Sequence, residues 1–122
     1  MVTTNDVMAR GSVRFGTSGA RGLVSALTDD VCYAYARAFV AAIGAAPGTR
    51  VAVGMDLRPS SPRIVGACLA ALRDAGMVAD FCATLPTPAL AYHAQEHGMP
   101  ALMVTGSHIP FDRNGIKFYR PT

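Results

Sequence analysis

Lysine is almost absent from this sequence: Lys117 stands alone among eleven basic residues, and the other ten are arginines. Arginine does not surrender its proton near neutral pH, so the solitary amine is the cation best suited to act as a base. Carboxylates are few and dispersed. Asp29 and Asp30 adjoin each other ahead of a helix, while Asp56, Asp74, Asp80 and Asp112 lie far apart and no D-x-D-x-D run occurs; a hard divalent cation therefore finds no complete oxygen cage in this chain. The ten arginines are scattered without a basic run or interleaved aromatics, which excludes a nucleic-acid stripe, and a formal charge of +3 suits small anions better. Although 51% of residues are apolar, no run approaches the roughly 20 needed to cross a bilayer. Three cysteines, Cys32, Cys68 and Cys82, without C-x-x-C spacing read as reduced core thiols. Residues 1–10 lack the apolar core of a secretory signal, so the cytoplasm is the expected compartment.

What is present is a βαβ rhythm on the scale of one domain, with residues 1–11 loose and residues 12–122 folded. Thr28 ahead of Asp29 and Asp30 starts a helix whose apolar face is Val31, Tyr35, Ala38, Phe39 and Ala42, and Gly44 ends it. Residues 50–56 read as a strand. Ser61 and Pro62 cap and open a second helix facing inward through Ile64, Val65, Cys68, Leu69 and Leu72 up to Gly76. Residues 78–83 form a strand, Thr87-Pro88 opens a third helix running to His97 and Gly98, and residues 101–104 form a buried strand. Asn114-Gly115 reads as a reversal before a last, antiparallel strand, Ile116 to Tyr119. The expected fold is a three-layer α/β/α sandwich on a mostly parallel mixed sheet.

Two segments carry candidate chemistry. Gly16 to Gly22 reads as a glycine-rich loop in which Thr17, Ser18, backbone N–H groups and Arg21 can wrap a phosphate; it matches neither a P-loop nor a dinucleotide fingerprint. Thr105 to Lys117 leaves a strand's carboxyl end, where open α/β sheets bind ligands. Ser107 is its candidate nucleophile, with His108 and Lys117 as titratable neighbours. Both segments are also ordinary turn chemistry, and structural loops account for them equally well. Asp56 and Arg58, at a strand-to-helix junction, form either a local ion pair or part of an anion site. His93 and His97, four apart on a helix, lack a third metal ligand in the sequence.

Thr105-Gly106-Ser107-His108-Ile109-Pro110 followed by Asn114-Gly115-Ile116-Lys117 resembles the active-serine loop of the phosphohexomutases, the phosphoglucomutase and phosphomannomutase family, usually T-A-S-H-N-P and N-G-x-K. Gly106 and Ile109 depart from that form. Phe15-Gly16-Thr17-Ser18-Gly19 with Arg21-Gly22 is similar to the family's amino-terminal signature, Asp56 to Ser61 to its D-x-R-x-S-S segment, and Thr84 to Pro88 to its G-x-x-P-T-P segment without the glycine. The resemblance implies that Ser107 is carried as a phosphoserine, with Arg21 on the phosphoryl group, Lys117 as base and His108 as donor. It further implies Thr17, Ser18, Arg58 and Asn114 on the phosphate side, and Mg²⁺ held through the Ser107 phosphate by carboxylates outside this chain. The reaction it implies interconverts hexose 1-phosphate and 6-phosphate through a hexose 1,6-bisphosphate that also serves as activator. The resemblance covers the first of four domains, so the expected partners are a phosphosugar and the remaining domains, with no nucleic acid or membrane, and uncovered faces are expected to favour self-association. The isolated domain is expected to be inactive. The alternative is a non-catalytic phosphate-binding or assembly module; a serine hydrolase is poorly served because Ser107 lacks a G-x-S-x-G elbow.

Overall fold

The computed structural model describes residues 14–16, 19–106 and 112–121. Six strands form one sheet in the order β1-β2-β6-β5-β3-β4, with β1 Arg14–Gly16, β2 Gly19–Leu23, β3 Arg50–Met55, β4 Val78–Thr84, β5 Ala101–Val104 and β6 Arg113–Tyr119. The helices are α1 Asp29–Ile43, α2 Ser61–Asp74 and α3 Thr87–Glu96. Strands β4 and β5 flank β3 and run parallel to it, whereas β6 runs antiparallel to both β5 and β2.

Strand alternation separates the two faces of the sheet. Val51, Val53, Leu102, Val104 and Ile116 pack against Val31, Cys32, Tyr35, Ala36 and Val40 of α1 and against Ile64, Cys68, Ala71 and Leu72 of α2. Ala52, Ala101 and Met103 face the other way, against Leu90 and Ala94 of α3. The result is the expected α/β/α sandwich. Its central strands are buried on both sides, which explains why residues 101–104 are apolar throughout rather than alternating.

Helix α1 begins and ends as its caps dictate. The Val31 N–H donates to Thr28 Oγ1 at 3.3 Å, and Gly44 adopts φ 63° while its N–H returns to the Ala41 carbonyl. Val31 and Tyr35 enter the core as expected and are joined by Cys32, Ala36 and Val40, while Ala38 and Ala42, with Phe39 packed at the core's edge, line a groove with Phe118.

Three other expectations are corrected. Residues Gly19 to Gly22 are not loop but strand, because β6 supplies the ladder they need; Ala20 pairs with Ile116 and Arg21 with Gly115. Asn114 and Gly115 lie within β6 rather than in a reversal. Ser61 does not cap α2: its hydroxyl donates to Asp56 Oδ1 at 2.5 Å, and Ser60 occupies the cap position without a side-chain bond to the helix.

Candidate active site

The carboxyl ends of the adjacent parallel strands β3 and β5 open into the segments 56–61 and 105–112. The two segments are joined by one buried polar network centred on Asp56. Its Oδ2 accepts the Gly106 N–H at 2.9 Å and lies 3.2 Å from Arg58 Nε, and its Oδ1 accepts the Arg58 N–H at 3.0 Å as well as the Ser61 hydroxyl. Burial acts to raise the Asp56 carboxyl, but hydrogen bonds from Ser61, from the Gly106 and Arg58 backbone and from Thr105 outweigh it and hold the group below the usual carboxylate range. Asp56 therefore stays ionised, and Arg58, only 7% exposed, is the buried cation that balances it.

The far end of the serine loop is tied to the same junction. Arg58 Nη1 donates to the Arg113 carbonyl at 3.3 Å. Asn114, fully buried, donates its side-chain N–H₂ to Ser60 Oγ at 2.8 Å and to Ser61 Oγ at 3.1 Å, and its Oδ1 accepts the Gly115 N–H at 2.8 Å. With both amide hydrogens engaged, Asn114 acts on the loop's framework rather than offering a free donor to a ligand. Thr105 N–H completes the frame by donating to the Gly115 carbonyl at 3.0 Å. Residues 106 and 113–114 are thus held by a single β3–α2 turn, and the chain between them carries Ser107.

The glycine-rich front segment meets this frame through Gly115. A β-carbon placed there would stand 3.0 Å from Arg21 Cγ, 2.8 Å from the Ala20 carbonyl oxygen and 3.5 Å from the Thr105 carbonyl oxygen. Arg21 therefore crosses Gly115 on that face of the sheet, beside the start of the serine loop. Lys117, two residues along β6, projects to the same face, and its register partner Met103 lies in the cluster under α3. Arg21 and Lys117 are both half-buried, and no carboxylate among the described residues pairs with either. Both cations thus lie on one face of the sheet, Arg21 opposite Gly115 and Lys117 two residues further along β6.

Ser107 and His108, like Thr17 and Ser18, lie outside the described residues. Among those described, the serine loop is bordered by Asp56, with both carboxylate oxygens already bonded, and by exposed Asp112. That pair falls short of the oxygen count Mg²⁺ demands. The described residues alone do not make a Mg²⁺ site.

Sequence reasoning missed one grouping of metal-ligating side chains. His93 sits in the last turn of α3 with its side chain 36% exposed; its Nε2 is 3.0 Å from Asp80 Oδ2, and Cys82 completes a cluster with them at the edge of the sheet. Asp80 and Cys82 come from a strand and His93 from the following helix, thirteen residues after Asp80, so no local spacing announces them.

The fold is an α/β/α domain whose segments 56–61 and 105–112 leave the carboxyl ends of β3 and β5. Residues 12–122 match the family model described as phosphoglucomutase/phosphomannomutase, alpha/beta/alpha domain I, and the chain belongs to that family. It is 48% identical over 119 residues to a phosphomannomutase of Salmonella muenchen, covering 97% of this chain and 25% of that protein. It is 53% identical over 112 residues to a phosphomannomutase of Sinorhizobium fredii, covering 88% and 24%. A phosphoglucosamine mutase of Mycolicibacterium paratuberculosis is 40% identical over 112 residues, covering 88% and 25%. A crystal structure of a phosphoglucomutase/phosphomannomutase family protein from Burkholderia thailandensis superposes with a TM-score of 0.74 at 30% identity, over 99% of this chain and 27% of that one. The chain spans about a quarter of the length of the curated relatives it matches. Among the described residues no helix is long and apolar enough to cross a membrane.

Proposed function

We propose that this chain is the active-serine domain of a phosphohexomutase that interconverts hexose 1-phosphate and hexose 6-phosphate by way of a phosphoserine and a hexose 1,6-bisphosphate. The observation that supports the reading best is the pair of cations, Arg21 and Lys117, on one sheet face without an acidic partner, beside the loop that the Asp56 network holds at both ends. Phosphoryl transfer asks a protein for little covalent chemistry and much positioning and charge compensation. A phosphoserine at Ser107 carries about −1.5 to −2 charges. Arg21 offsets them with a fork that matches phosphoryl oxygens. Lys117 takes the proton from the attacking sugar hydroxyl, and His108 donates a hydrogen bond nearby. Thr17, Ser18 and Arg58 support the phosphate side. A Mg²⁺ ion, were it bound by the Ser107 phosphate and carboxylates of a further domain, would supply charge neutralisation to the phosphoryl oxygens.

Sugar selection, the distal phosphate contact and the metal carboxylates belong to the remaining domains, so the isolated chain binds phosphate without turning over. The test is a chimera in which this chain replaces the matching first domain of the Salmonella muenchen phosphomannomutase. The chimera is expected to interconvert mannose phosphates and, on incubation with the hexose bisphosphate, to gain one phosphoryl group at Ser107 by intact mass, whereas Ser107→Ala gains none. A folded chimera that binds the bisphosphate yet never becomes phosphorylated at Ser107 would instead favour a non-catalytic phosphate-binding module.

A further inference from the structure

The phosphosugar chemistry makes no use of the opposite edge of the sheet, where β4 is open to solvent and α3 packs beside it. On β4, Asp80 and Cys82 are two residues apart and so face the same side, towards α3; Cys82 packs against the cluster built on Leu90 and Ala94. His93 comes up from α3 to meet them. One donor atom from each, Asp80 Oδ2, Cys82 Sγ and His93 Nε2, lies within 4.8 Å of the others, and the carboxylate and imidazole are already 3.0 Å apart.

We propose that Asp80, Cys82 and His93 form a binding site for a borderline-soft divalent cation of the Zn²⁺ type, with water in the fourth position. Four-coordinate zinc with N, O and S ligands at about 2.0–2.3 Å keeps its ligand atoms about 3.5 Å apart. The three donor atoms, all within 4.8 Å of one another, stand close to that spacing. A thiol beside an imidazole selects Zn²⁺ or Co²⁺ over Mg²⁺, which separates this site from the metal of the phosphoryl reaction.

Charge is the second argument. Asp80 and the Cys82 thiolate carry two negative charges, His93 is neutral as a ligand, and a dication balances the set to zero at a place only partly open to water. A competing cation is Arg50, whose Nη2 stands 3.7 Å from Asp80 Oδ2 with 65% of its side chain exposed, so it can withdraw into solvent. Binding forms the metal–sulfur bond as the thiol proton leaves to solvent. His97 stands behind the cluster, its Nδ1 2.9 Å from the His93 carbonyl and its ring 4.7 Å from the His93 ring. The cation would pin α3 to an edge strand that has a neighbour on one side only, as a structural clip.

The experiment is titration of the purified 122-residue chain with Co²⁺ under a phosphine reductant, followed by Zn²⁺. The expected result is one equivalent of Co²⁺ per chain, with tetrahedral visible bands and a near-ultraviolet thiolate charge-transfer band that Zn²⁺ bleaches, together with a rise of several degrees in Tm on adding Zn²⁺. Cys32 and Cys68 are buried elsewhere and remain as internal controls. Cys82→Ser, nearly isosteric and checked by circular dichroism, is expected to abolish the charge-transfer band, and His93→Gln to weaken Co²⁺ binding at least tenfold. Absence of the band in the unaltered chain, or its persistence in folded Cys82→Ser, overturns the site and leaves Asp80 and His93 as a plain ion pair.

Discussion

Gly106 has no side chain at the place the Arg58 guanidinium occupies: a β-carbon there would stand 2.0 Å from Nε and 2.1 Å from Cζ. The serine-loop motif of the phosphohexomutases commonly has alanine at this position, so glycine here and the inward arrangement of Arg58 belong together. A methyl group would push the guanidinium off Asp56 and weaken a charge pair that is largely buried.

Gly106→Ala is therefore expected to destabilise the chain by about 1–3 kcal/mol, the cost of disturbing a buried charge-assisted bond. Urea unfolding measures it. In an Arg58→Ala background the same methyl meets no guanidinium, and its effect should shrink to a few tenths of a kcal/mol, giving a coupling within the range seen for residues in contact. Equal costs in both backgrounds would show that the methyl acts through something other than Arg58.

Gly115 is crowded by backbone rather than by a flexible side chain. Its missing β-carbon would sit 2.8 Å from the Ala20 carbonyl oxygen and 3.0 Å from Arg21 Cγ, so Gly115→Ala must part β2 from β6. A loss of about 1–3 kcal/mol is expected from overpacking. Because Arg21 moves with β2, phosphate binding measured by calorimetry should weaken as well; unchanged phosphate affinity in a folded variant would remove Arg21 from the site.

These two glycines mark where the sequence could and could not be read. The helices were legible because their signals are local: the Thr28 hydroxyl, the acidic first turn and Gly44 lie within one segment, and the structure uses all of them. The βαβ order and the buried run Ala101 to Val104 were legible for the same reason. Strand β2 was not, since glycine-rich Gly19 to Gly22 has weak strand character alone and is held by pairing with residues more than ninety positions later. Asn114-Gly115 misread as a turn because its dipeptide chemistry is that of a hairpin, whereas close approach of Arg21 and a buried amide clamp are what place it in β6. Ser61 misread as a cap because Asp56, five residues upstream, takes its hydroxyl. In each case a long-range polar or steric demand overrode a local propensity.

Lys117 offers a way to separate charge from proton transfer. Arginine keeps the positive charge but not an accessible proton, so Lys117→Arg in the phosphomannomutase chimera should leave KM within a few-fold while lowering kcat by about 10²–10⁴-fold, the usual worth of a general base. Lys117→Met removes the charge too and should raise KM in addition. If Lys117→Arg retains near-normal kcat, the amine serves electrostatically and the base lies elsewhere, with His108 the next to test.

Asp56 links the frame to pH. Its folded pKa lies below its unfolded value, so the native state binds fewer protons than the unfolded chain as pH falls through the carboxylate range, and stability drops with it. The contribution is fully present above the unfolded pKa, about 3.9 for an aspartate, and disappears as pH falls through the depressed folded value. Asp56→Asn removes the charge at every pH and takes from buried Arg58 the carboxylate 3.2 Å from its Nε, which should cost about 3–5 kcal/mol near neutrality. Thermal melts from neutrality down to acid should show the two proteins far apart above pH ~5 and converging as Asp56 in the parent becomes protonated. A constant gap across that range would mean that the hydrogen-bonded shape of the residue, rather than its ionisation, holds the serine loop to the β3–α2 turn.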